Sequence, residues 1–209
     1  MGGKGILVIL MLLPLINFFY IPDTDTSSRD FHSLLESYPH YTFDAVGKQG
    51  RNIIRDEKKA VLSIITQHRY SLIDTRVEDL AEMIVKIAGK YELSPKFIAS
   101  VIAVESSFDS YAVSNMDARG LMQITPDTAE YLNNRYRLVA SGEINLFDKR
   151  LNIELGTLYI KELIERYGSV KKAMTAYNYG PGRVDTFISR NMSMPAKYYN
   201  SINDVLIAL

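Results

Sequence analysis

Two dipeptides, Ser94-Pro95 and Thr125-Pro126, set what this chain can fold into. A Ser or Thr side chain accepts a hydrogen bond from the open N–H groups at a helix start. Proline at the first helical position lacks only an N–H that would have no partner there. Both dipeptides therefore open helices. The stretch "RLNIELGTLYIKELIERYG" sets Ile153, Gly156, Thr157, Ile160, Leu163, Ile164 and Tyr167 on one side of a helix that Gly168 ends. "SVKKAMTAYNYG" again starts at a Ser and stops at a Gly. Upstream, Asp56 to Arg69 repeats Ala60, Val61, Ile64, Ile65 and His68 at helical spacing. Thr75, with Glu78 three residues on, reads as a capping box for a helix with Leu80, Ile84, Ile87 and Ala88 as its stripe, stopping near Gly89. No segment sustains a period of two, so the expected fold is all-α, nearly all helix.

The start of the chain is different. Lys4 precedes "ILVILMLLPLINFFYI", an apolar run of 16 residues broken only by Asn17 and Pro14. A positive flank and a short apolar run suit an export signal. The exit, "FFYIPDTDTS", offers no small-x-small cleavage site, so an uncleaved membrane anchor is the other reading. Pro14 and the lack of a polar face oppose a buried core helix. Residues 1–21 are thus expected to be a signal peptide or anchor. Residues 22–74 are expected to be a linker and helical extension, irregular from Phe31 to Gly50, and residues 75–209 one compact domain. The expected location is the periplasm or cell envelope, at the inner membrane if the segment stays attached.

Composition removes whole classes of chemistry. There is no Cys, which excludes disulfides, thiolate zinc sites, Cys nucleophiles and lipid attachment through Cys. His32, His40 and His68 are not spaced as a metal pair on a helix. No metal and no cofactor is expected. Lys plus Arg and Asp plus Glu both number 24, a balance without the basic excess that nucleic acid would favour.

One residue breaks the apolar pattern. In "SPKFIASVIAVESSF", Ile98, Val101 and Ile102 lie seven, four and three residues before Glu105 and share its helix face. A carboxylate at the C-terminal end of a helix meets the unfavourable end of the dipole, and burial disfavours its charge further. Both effects raise the pKa, which is what a general acid requires. A Glu paired with a buried Arg, or capping a neighbouring helix, is the structural alternative.

The segments that follow decide between them. After "ESSF" come "YAVSNMDARGLMQITPDTAEYL", "NLFDKRLNIELGTLYI" and "AYNYGPGRV", with "GLMQ" beginning 15 residues after Glu105. In order and separation, from roughly Val77 to Ile202, the chain resembles the catalytic domain of soluble lytic transglycosylases, a lysozyme-like fold. The resemblance implies peptidoglycan glycan strands as the partner and Glu105 as the single catalytic carboxylate. It implies that Ser114 lies near the substrate N-acetyl group, and that Met122 and Gln123 line the saccharide groove. Tyr177 and Asn178 would lie beside the acid. A later family tyrosine matches Tyr198 rather than Tyr199, although the family's preceding Glu-Thr reads Met194-Pro195 here. The family's Gly before the Ala of "GLMQ" is Asp117 here. If that turn needs a positive φ, Asp tolerates it well; otherwise Asp117, or Asp109, is a second carboxylate for a goose-lysozyme-like hydrolase. A glycan-binding module without activity is the third reading, and cell-wall or secretion machinery is a possible wider setting. "LFDKRLNIELG" reads as structural, with Asp148 capping the next helix and Gly156 allowing close helix packing.

Overall fold

The structure, a computed structural model, describes residues 48–69, 76–140 and 142–208. The expectations for residues 1–21 and for the linker lie outside them. The described residues form eight helices: α1 (Lys48–His68), α2 (Val77–Lys90), α3 (Pro95–Ser106), α4 (Pro126–Tyr136), α5 (Lys149–Tyr167), α6 (Val170–Tyr179), α7 (Pro181–Ser189) and α8 (Lys197–Ile207). The mainly helical class is as expected. Among the described residues, no helix is long and apolar enough to cross a membrane.

The start signals act as the sequence implies. Ser94 accepts from Phe97 N at 3.4 Å, Thr125 from Thr128 N at 3.3 Å and Ser169 from Lys172 N at 3.4 Å. Asp148 caps α5 through Leu151 N at 2.7 Å, and Gly168 closes that helix at φ 61. Three readings need correction. α1 begins at Lys48, so the last residues of the stretch read as irregular are helical. The N-cap of α2 is Arg76, with no side-chain cap, rather than Thr75, which lies outside the described residues. Gly156 faces a side chain rather than another helix. A Cβ there would stand 2.5 Å from Met122 Sδ.

Helices α7 and α8 were not expected from sequence. Gly180 at φ 85 turns the chain and Pro181 starts α7, which buries only Val184. So short an apolar record gives no period to read. α8 buries Tyr198, Tyr199 and Ile202, a spacing of one side of a helix.

α3 is the centre of the fold. Phe97, Ile98, Ala99, Val101 and Ile102 are all fully buried, so it is apolar nearly all round. α1 and α2 cover one side of it, and α8 packs across another. Val61, Ile64 and Ile65 of α1 have no exposed surface, so α1 shares this core. The link between α3 and α4 is a tight ribbon with two antiparallel bridges, Val113 to Arg119 and Arg119 to Ile124. Ile64→Ala is expected to destabilise the whole domain by about 2–5 kcal/mol, since a cavity would open in the shared core. A single cooperative melt at lower temperature is the expected result; an unchanged melting temperature would mean that α1 is not part of the folding unit.

Candidate active site

Glu105 is the penultimate residue of α3, where the helix leaves its buried track. The chain must reverse there. Ser107 and Phe108 take left-handed φ values of 49 and 63, and Phe108 turns its ring fully into the core. Ser106 donates to Leu121 O at 2.8 Å, which ties the end of α3 to the turn that carries Met122 and Gln123. Glu105 is thus held between the end of its own helix, that turn, α6 and α8.

Two tyrosines face it. The Tyr198 hydroxyl, from α8, donates to Glu105 Oε1. Tyr177, from α6, donates to Met122 O at 2.8 Å. Burial, the Glu105 charge and the neighbouring Tyr159 hold the Tyr177 hydroxyl well above its ordinary pKa. Burial does the same for Tyr198, with Glu105 and Tyr177 adding to it. Burial pushes Glu105 itself up to about 7, opposed in part by the Tyr198 hydrogen bond, which favours the anion. No salt bridge to Glu105 occurs among the described residues, so the arginine-paired alternative does not hold.

The other expected site residues fall into different environments. Gln123 sits in the left-handed region at φ 49, and its amide nitrogen donates to Ala112 O at 3.1 Å and Gly120 O at 3.0 Å. Its amide oxygen is left for another partner. Met122 is fully buried; its side chain lies against Gly156 and Thr157, so only its main chain reaches the site. Ser114 Oγ accepts from Met116 N at 3.2 Å and Ala118 N at 3.1 Å, which closes its own loop and leaves the hydroxyl hydrogen to donate elsewhere. Asn178 is exposed on the last turn of α6.

The two other carboxylates have local partners. Asp117 has a positive φ of 60, and it forms a two-bond pair with Arg119 at 2.9 and 3.0 Å. Asp109 accepts from Tyr111 N at 2.9 Å. Asn152 escaped the sequence reading. It is 1 % exposed, and its amide bonds both Met122 N and the carbonyls of Arg119 and Leu146. A polar residue one position off the α5 stripe was the only signal.

A cavity of about 580 Å3 lies between α4, α5 and the start of α7, lined by Tyr131, Tyr136, Tyr159, Arg135 and Glu162 among others. Glu105 does not line it. The two regions meet at Tyr159, whose ring packs on Tyr177 with centroids 5.6 Å apart.

The raised pKa has a consequence for stability. The native carboxyl holds its proton to about pH 7, against 4.5 for an ordinary glutamate. Its contribution is therefore fully present below pH 4.5 and lost as pH rises through 7. Glu105→Gln, uncharged throughout, should stabilise the protein above pH 7 by on the order of 3 kcal/mol and hardly at all near pH 4.5. Thermal melts of both proteins across that range check it; an equal effect at both ends would mean an unperturbed carboxyl.

Known proteins share this stretch of chain. The transglycosylase of Enterobacteria phage PRD1 is 33% identical over 122 residues, covering 58% of this chain and 42% of the phage protein. The membrane-bound lytic murein transglycosylase F of Desulfosudis oleivorans is 32% identical over 143 residues, covering 64% of this chain and 30% of its own. Among solved structures, the lytic transglycosylase Slt of Pseudomonas aeruginosa covers 74% of this chain and 26% of its own, at 23% identity and a TM-score of 0.48. This chain spans less than half the length of each. Glu105, the Met122 turn, Tyr177 and Tyr198 all lie within residues 82–200, which match the family model described as the transglycosylase SLT domain, and the chain therefore belongs to that family.

Proposed function

We propose that this chain is a peptidoglycan lytic transglycosylase that cleaves the β-1,4 bond between N-acetylmuramic acid and N-acetylglucosamine and leaves a 1,6-anhydromuramic acid end. The observation that carries this reading is the Glu105 carboxyl at the end of α3, hydrogen-bonded by Tyr198 and facing no cation among the described residues, so that burial pushes its pKa up to about 7. Such a group is an acid in one step and a base in the next at neutral pH.

Glu105 gives its proton to the glycosidic oxygen, and the bond from that oxygen to C1 of the muramic acid breaks. The substrate's own N-acetyl oxygen attacks C1 and forms an oxazolinium, supplying the nucleophile at high effective concentration. The Glu105 carboxylate then removes the proton of the C6 hydroxyl. O6 bonds to C1, the oxazolinium opens, and no water is consumed. Tyr198 keeps one carboxylate oxygen in place, and the Gln123 amide oxygen and Ser114 hydroxyl offer polar contacts to the sugar. Asn178, exposed on the last turn of α6, offers another. Met122 serves through its main chain. Asp117 and Asp109 have local partners, which favours one carboxylate over two. The Tyr-lined cavity gives the next saccharide units a surface, since the chain has no Trp to stack on them. Export to the cell envelope fits such a substrate.

Digestion of purified sacculi, with mass analysis of the products, tests the reaction. Anhydro ends are expected; reducing ends, one water heavier, would mean hydrolysis. Glu105→Gln should abolish turnover and leave glycan binding largely intact. Tyr198→Phe removes a donor that favours the Glu105 anion, so the alkaline limb of its kcat/KM profile should move to higher pH. A limb that moves down would remove Tyr198 from this role.

A further inference from the structure

The turn at residues 119–123 is gripped from three helices. Ser106 of α3 donates to Leu121 O, Tyr177 of α6 donates to Met122 O, and Asn152 of α5 holds it from below. Asn152 uses its whole carboxamide there. Oδ1 accepts from Met122 N at 2.7 Å, and Nδ2 donates to Arg119 O at 2.8 Å and Leu146 O at 2.9 Å. Gly120 makes room for this clamp. A Cβ at that position would stand 2.6 Å from Asn152 Nδ2 and 2.5 Å from Leu146 O. The turn is thus built around the amide.

The Met122 peptide links the clamp to the acid. Its N–H is bound by Asn152, and its carbonyl takes the single proton of Tyr177. A phenol has one hydrogen to donate. While Met122 O holds it, that proton is not available to Glu105, and among the described residues Tyr198 is the donor to the carboxylate. We infer that Asn152 is a positioning residue for Glu105: by fixing the Met122 main chain, it keeps the Tyr177 proton on the Met122 carbonyl and off the acid.

Among the described residues, the titratable groups that interact with Glu105 are few. They are the Tyr198 hydroxyl from α8 and the Tyr177 hydroxyl from α6, with Tyr159 of α5 behind Tyr177. α1 and α2 bring apolar side chains to the other side of α3, and their nearest ion pair with it, Glu57 with Lys96, lies at its opposite end. Without the clamp, the Met122 carbonyl drifts and the Tyr177 hydroxyl is free to swing to the carboxylate. That adds a second donor to the anion, which then forms at lower pH.

The inference rests on Glu105 as the acid of the proposed reaction, and its test has a readout independent of turnover. The Glu105 carboxyl is titrated by carbon NMR in the full chain, alongside the pH profile of kcat/KM. Asn152→Ala should lower the Glu105 midpoint by about one pH unit and move the alkaline limb down with it. In a Tyr177→Phe background the same substitution should move neither. If Asn152→Ala does not fold, Asn152→Ser, which leaves space for a bridging water, should show a smaller shift of the same sign. A uniform fall in rate with an unmoved midpoint would overturn the inference, and so would a shift that persists without the Tyr177 hydroxyl. If the unaltered protein releases no product while the NMR shift appears, the inference stands and the proposed reaction falls.

Discussion

The site depends on one carboxyl being kept from water. α3 is apolar nearly all round, and it leaves Glu105 half-buried at the point where the helix ends. The dipole of α3 does not help an anion there, and no cation among the described residues offsets the burial. Among the described residues, one tyrosine hydroxyl is the direct counterweight. The balance between desolvation, which raises the pKa, and that single hydrogen bond, which lowers it, leaves the group near neutrality. A second donor or a nearby arginine would have made an ordinary anion. A fully apolar pocket would have made a proton that never leaves.

The backbone near this group departs from regular structure, and it does so with non-glycine residues. Ser107, Phe108, Asp117 and Gln123 all have positive φ. Such conformations cost free energy unless the surroundings over-determine them. Here they do. Phe108 is buried, Asp117 is tied to Arg119, and the Gln123 amide closes on two carbonyls. These turns tie the Met122–Gln123 segment to the end of α3 through Ser106 and to α6 through Tyr177, which a longer and looser connection from α3 to α4 would not do.

Much of this was legible in the sequence, and the reasons for the exceptions are physical. The capped helices announced themselves through Ser94-Pro95, Thr125-Pro126 and Asp148 because each start signal is local chemistry. Glu105 was visible because helical spacing put a charge on an apolar face. The choice of Tyr198 over its neighbour Tyr199 came from resemblance, and the geometry brings Tyr198 to Glu105. Asn152 was invisible because its partners are main-chain atoms, two of them in a turn some thirty residues away, and no pattern marks a backbone donor or acceptor. Met122 looked like a groove residue, yet its side chain fills the space above Gly156. α7 was missed because one buried valine makes no period.

The packing of α1 and α8 also bears on where this molecule can be divided. The stretch that matches the family runs from residue 82 to 200, so it leaves out all of α1, the first turn of α2 and the later part of α8, including the buried Ile202. A polypeptide trimmed to those limits would leave the flank of α3 bare where Val61, Ile64 and Ile65 now lie. It would also fray the helix that brings the Tyr198 hydroxyl to the acid. The stretch that the family model matches is thus smaller than the packed unit, and an oily seam marks the difference.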